Sequence, residues 1–128
     1  MFNWQRRAKH DGPAVLDEGY LERLVSHLGE QVVRELLSDG LLELTDRVAM
    51  IESHANAGEP DLLRRTVHDL SGMSGHLGLA QLASVSAQSE RELRSGASAL
   101  QPAVQPVIDA APAAISALRD FLDDAGTA

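Results

Sequence analysis

Hydrophobic residues recur along this chain at helical spacing, three and four positions apart, with no alternating run of the kind a half-buried strand requires. Asp17 stands where a helix N-cap is expected, and Leu21, Leu24, Val25 and Leu28 follow it at that spacing. Gly29 marks a turn. A longer helix is then predicted from about Glu30 to Ala55, with Val33, Leu36, Leu37, Leu41, Leu44, Val48 and Ile51 on its apolar line. Gly40 interrupts that line without a proline, so the helix should continue through it. Asn56-Ala57-Gly58-Glu59-Pro60 reads as a turn, with Pro60 suited to the first position of the next helix. That third helix runs over about 60–77 and ends at Gly78, a residue that takes a left-handed conformation cheaply. A fourth, over about 79–95, turns Leu82, Val85, Ser89 and Leu93 inward and ends at Ser95-Gly96. The remaining stretch is alanine-rich, with Leu100, Val104, Val107, Ile108, Ala111, Ile115, Leu118 and Leu122 in a helical pattern. Pro102, Pro106 and Pro112 fall inside it, and Pro112 is expected to kink or break the last helix.

The fold class predicted is all-α, an up-down antiparallel four-helix bundle over residues 15–124. Residues 1–14 form an N-terminal arm, flexible or a short helical element. The arm holds Phe2, Trp4, Arg6, Arg7 and Lys9 and ends near the breaker Gly12-Pro13.

The third helix is the unusual one. On a helical projection Leu62, Leu63, Thr66, Val67, Leu70, Met73, Ser74 and Leu77 share one side. His68 lies near the middle of the other, among Arg64, Arg65, Ser71, Gly72 and Gly75. A histidine so placed faces water. A glycine inside a helix costs about 1 kcal/mol relative to alanine. Two of them, one and two turns after the histidine, suggest a surface that a partner must approach closely, and a partner carrying a phosphoryl group fits. A buried core histidine is ruled out by the side on which His68 falls.

Composition narrows the field. The chain has 128 residues, sufficient for one ordinary domain, and 44% of them are hydrophobic but only 3% aromatic, so its core is built from Leu, Val and Ala. It carries a formal net charge of −8, which argues against nucleic acid, whose phosphates need clustered Lys and Arg. There is no cysteine, hence no disulfide and no thiolate metal site. No stretch has the length of a membrane span or a signal peptide, and a cytoplasmic protein is expected. His10, His27 and His54 have no partner at metal-ligand spacing, and His76 stands at the border of the His68 face. No metal site, Ser-His-Asp arrangement or phosphate-cradling glycine loop is recognisable.

The run His68-Asp69-Leu70-Ser71-Gly72-Met73-Ser74-Gly75-His76-Leu77-Gly78 resembles the signature of histidine-phosphotransfer (HPt) domains of bacterial two-component phosphorelays, roughly His-x-Leu-Lys-Gly-Ser-x-x-x-Leu-Gly. Glu90-Arg91-Glu92-Leu93-Arg94-Ser95-Gly96 is similar to the glutamate, basic residue and glycine that close that family's fourth helix. The resemblance covers about residues 15–96 well and the alanine-rich tail loosely. It implies a small helical bundle with no kinase activity of its own, in which His68 accepts a phosphoryl group from a receiver-domain aspartate and passes it to another receiver. The expected partners are response-regulator receivers and a hybrid histidine kinase, with the protein itself a monomer. It needs no cofactor of its own, and magnesium would sit on the receiver.

The family's lysine three residues after the histidine is Ser71 here. Serine offers one hydrogen bond and no charge, so Arg64 and Arg65 are the candidates to stabilise the phosphoryl group, with Ser71, Gly72 and Gly75 bordering the docking surface. Apolar docking contacts are expected near Leu79 and along the exposed edge of the first helix. Met73 replaces the usual serine and is expected to fill core. Two alternatives stand beside the carrier: a non-phosphorylated adaptor of the same shape that docks a receiver or kinase, and the phosphoacceptor domain of a larger kinase.

Overall fold

The computed structural model describes residues 13–127. It is all-α, with five helices in the order α1 (Glu18–Leu28), α2 (Glu30–Asn56), α3 (Pro60–His76), α4 (Ala80–Arg94) and α5 (Leu100–Thr127), and no strand among the described residues. All five helices that the apolar spacing predicts are present, the short α1 standing beside the four longer ones. Helices α2, α3, α4 and α5 each pack on the next, and α5 closes back onto α2, while α1 packs mainly on α2. Most of the expected N-terminal arm lies outside the described residues. Its last residue, Ala14, accepts a hydrogen bond from the Gln81 N–H at 2.9 Å, and the Asp17 N–H donates to the Gly78 carbonyl at 2.7 Å. The entry to α1 is therefore strapped to the α3–α4 turn.

Local chemistry accounts for the helix ends. Asp17 caps α1 by accepting from the Tyr20 N–H at 3.0 Å. Gly29, at φ +91°, closes α1 and opens α2 in a single residue. Pro60 occupies the first turn of α3, where its missing N–H costs nothing. Helix α3 is capped at Leu77, and Gly78 follows at φ +75°. A Cβ on Gly78 would stand 3.1 Å from the Leu21 side chain, so both the backbone angle and the contact with α1 call for glycine there.

The core is Leu- and Val-rich. Leu21, Leu37, Leu44, Ile51, Leu63, Val67, Leu70, Leu79, Leu82, Val104, Val107 and Leu118 are fully buried. Gly40 has a function that periodicity hid: a Cβ there would lie 2.4 Å from Leu77 Cδ2. The absent side chain lets Leu77, at the end of α3, press directly against the α2 backbone.

Several expectations are corrected. Leu36 and Leu62, placed on apolar lines, are 44% and 41% exposed, each at the margin of its helix's buried stripe. Leu79 is completely buried and offers nothing to a docking partner; it packs in the core beneath the α3–α4 turn. The last helix does not break, since α5 continues through Pro106 and Pro112. Both prolines are exposed, so the carbonyls they leave unpaired can reach water. Buried Val104, Val107, Ala111, Ala114 and Leu118 anchor the helix on either side of Pro112.

Two substitutions test this packing. Leu70→Ala should cost about 2–5 kcal/mol. Gly40→Val should cost about 1–3 kcal/mol by overpacking. Urea unfolding measures both, with a lower midpoint at unchanged slope expected in each case.

Candidate functional site

Helix α3 is two-sided, as the projection requires. Leu63, Thr66, Val67, Leu70 and Ser74 are buried, while Arg65, His68, Asp69, Gly72 and Gly75 are exposed and Arg64 and Ser71 lie between. The His68 side chain is 67% exposed. It borders an open depression of about 250 Å³ lined by Arg64, Arg65, His68, Asp69, Glu90 and Arg94. The first two arginines sit one turn before the histidine on α3. Glu90 and Arg94 come from the last turns of α4.

Glu90 organises this depression. Its side chain is only 10% exposed. One carboxylate oxygen, Oε1, lies 3.1 Å from His68 Nδ1. The other, Oε2, accepts from the Arg94 guanidinium. Burial by itself would raise the pKa of Glu90, but the hydrogen bond from His68 and the charge of Arg94 outweigh it. The result is a carboxyl held below its ordinary range. An ionised carboxylate can only accept hydrogen bonds. The Nδ1 of a neutral His68 must therefore carry the proton, which leaves Nε2 with its lone pair free on an exposed ring. In the sequence Glu90 stands out only as part of the stretch that ends α4. The 22-residue separation of the pair is set by how α3 and α4 pack, which no spacing within one helix reveals.

The other candidates divide. Arg64 and Arg65 share the depression with His68. Ser71 does not point its proton at that space: its hydroxyl donates to the Ala83 carbonyl on α4 at 3.3 Å. Ser71 thus ties α3 to α4, and its place in the site is through that tie. Gly72 and Gly75 are exposed, and a Cβ at either would meet nothing within 4 Å. Neither glycine is needed by the protein's own packing or by a positive φ. His76 is exposed, and its carbonyl accepts from the Tyr20 hydroxyl at 3.1 Å, another link from α1 to the end of α3. Met73 is partly buried against the core, as expected.

An exposed nucleophilic imidazole on a rigid helix, oriented by a buried carboxylate and beside the guanidinium groups of Arg64 and Arg65, is suited to carrying a phosphoryl group. The family comparison agrees. The family model of the Hpt domain matches residues 35–127. This chain belongs to the Hpt domain family. The match takes in the alanine-rich α5, where the sequence resemblance was loosest, and leaves out α1. No curated protein and no solved structure matches the chain. Hpt domains are phosphocarrier modules rather than enzymes, so membership implies histidine phosphotransfer in a phosphorelay with receiver domains and kinases as interaction partners. No helix among the described residues is long and apolar enough to cross a membrane.

Two outcomes follow from the site's geometry. Gly72→Ala and Gly75→Ala should each raise stability by up to about 1 kcal/mol, because helix propensity improves and no contact is strained; a thermal melt of each variant checks this. Glu90 has a folded-state pKa below its unfolded value, so its contribution to stability is present above the unfolded pKa, about 4.3. That contribution should fade as pH falls below this value and through the depressed folded pKa. Acid unfolding of Glu90→Gln beside the parent should show the parent's extra pH dependence in that window.

Proposed function

We propose that this Hpt domain is a phosphorelay intermediate that carries its phosphoryl group on Nε2 of His68, taking it from the aspartate of one receiver and delivering it to another. The observation that carries this reading is the bond between His68 Nδ1 and the buried Glu90 carboxylate. It selects the tautomer in which Nε2 is the nucleophile and directs that atom outward. In the forward step the Nε2 lone pair attacks phosphorus, the bond from phosphorus to the aspartyl oxygen breaks, and the carboxylate leaves with the electron pair. The Nδ1 proton stays in place. The ring gains positive charge as the phosphorus–nitrogen bond forms, and Glu90, already facing it, offsets that charge. Delivery to the second receiver is the reverse. The receiver brings the acidic residue and the magnesium ion. This domain supplies position and charge, which phosphoryl transfer needs more than covalent machinery.

Arg64 and Arg65 are the cations assigned to the phosphoryl oxygens in place of the lysine that this chain lacks at Ser71. Gly72 and Gly75 leave bare backbone where the receiver's loops approach. In this reading the phosphocarrier unit spans residues 15–124 and acts as a monomer. Helices α2–α5 form its up-down bundle, and α1 is an addition at one end.

A second reading, a non-phosphorylated adaptor, is favoured by one observation: the residue at the lysine position is neutral and spends its proton on Ala83. Incubation with a receiver domain carrying radiolabelled aspartyl phosphate separates the two. The carrier acquires acid-labile, base-stable label, and His68→Gln, whose amide can still donate to Glu90, acquires none. Arg64→Ala and Arg65→Ala should slow transfer by severalfold, because exposure weakens each charged hydrogen bond. Gly72→Gln should block transfer by bulk while the fold survives. Binding of the receiver without label on the parent protein would establish the adaptor instead.

A further inference from the structure

Arg94 has an obvious minor reading, an exposed ion pair one turn along α4 of the kind that contributes little. Its partner contradicts that reading. Glu90 is buried, and both of its oxygens are engaged on different elements, Oε1 with His68 of α3 and Oε2 with Arg94 of its own helix. A carboxylate with so little access to water must be satisfied by protein groups. With Arg94 removed, one oxygen loses its donor, and the carboxylate group can turn about its last, loosely restrained torsion to seek another. The His68 ring cannot compensate. It is 67% exposed, so little packing fixes its rotation. Its bond to Glu90 is the one hydrogen bond to the ring among the described residues.

The three arginines of the depression are also unequal. Arg94 is neutralised by Glu90, whereas Arg64 and Arg65 make no ion pair among the described residues. The cations free to meet an incoming anion are those on α3, and the one on α4 is already committed.

We propose that Arg94 is a positioning residue for His68: by holding Oε2 of Glu90 it fixes Oε1 on the Nδ1 proton, and so presents Nε2 to the incoming phosphorus. The geometry stands on its own, and the consequence for transfer rests on the phosphocarrier reading above.

The test has two arms, one of which needs no phosphate. Long-range proton–nitrogen NMR of the unphosphorylated full chain, at a pH where the imidazole is neutral, reads the His68 tautomer directly. The parent should show predominantly the form protonated on Nδ1. Arg94→Ala and Arg94→Gln should move the population toward the form protonated on Nε2 that free histidine prefers, and Arg94→Lys should restore part of the parental pattern. In the second arm, transfer from a phosphorylated receiver should slow about three- to tenfold in Arg94→Ala, the loss of roughly one hydrogen bond's worth of orientation, with the lifetime of phosphohistidine, once formed, unchanged. A tautomer in Arg94→Ala identical to the parent's overturns the proposal, as does a shifted tautomer with unchanged transfer. A shortened phosphohistidine lifetime with the parental tautomer also overturns it, and makes Arg94 a phosphoryl ligand. If the parent takes no label at all, the carrier reading fails, while the NMR arm still decides whether Arg94 positions the ring.

Discussion

Leu63, Val67 and Leu70 take one side of α3 wholly into the core, and Leu77 continues that line onto the bare backbone of Gly40. The rest of the molecule depends on this burial. Each fully buried Leu or Val side chain contributes about 1.5–3 kcal/mol, so the helix is held by one face alone. The opposite face, tied to α4 only through Ser71 and His68, is left largely open. It can carry an exposed histidine, two glycines that nothing in the fold needs, and two arginines that make no ion pair among the described residues. The two faces are one solution: a rigid inner side makes an open outer side possible at a fixed position.

The end of α3 receives further support. Leu77 sits on Gly40, Gly78 turns with a positive φ against Leu21, and the Tyr20 hydroxyl and Asp17 N–H reach the carbonyls of His76 and Gly78. Helix α1 thus clamps the α3–α4 turn even though its main helix contact is with α2. That turn sets the register of α4 against α3, and the register is what brings Glu90 opposite His68. A disturbance at the turn would be felt at the imidazole by way of the carboxylate.

The sequence carried much of this and missed a definite part. Every helix was legible because each has an apolar stripe of helical period, and the caps at Asp17, Pro60 and Gly78 have local chemical causes. The side of α3 on which His68 lies was legible for the same reason. Residues at stripe margins were not: Leu36 and Leu62 have the right residue type, but whether a neighbour covers them is decided by packing between helices. Leu79, just after a helix end, looks like surface in the sequence and is buried only because the turn folds back on α1. Pro112 does not break α5, since a proline on a solvated helix face leaves a carbonyl that water can satisfy. Glu90 and Arg94 as partners of His68 and the tie from Ser71 to Ala83 are contacts between α3 and α4, and they belong to the register of two helices rather than to either one. Gly40 looked like a tolerated interruption, and the packing of Leu77 shows why it is there.

In the proposed carrier, Nε2 of His68, freed by the proton that Glu90 holds on Nδ1, is the atom that bears phosphate. Phosphorus–nitrogen NMR on the nitrogen-labelled protein after incubation with a phosphorylated receiver tests it most directly. A single phosphoramidate is expected, its phosphorus coupled to Nε2 of His68 and Nδ1 still protonated. Coupling to Nδ1, phosphate on another residue, or no phosphoramidate in a protein that binds the receiver would contradict it.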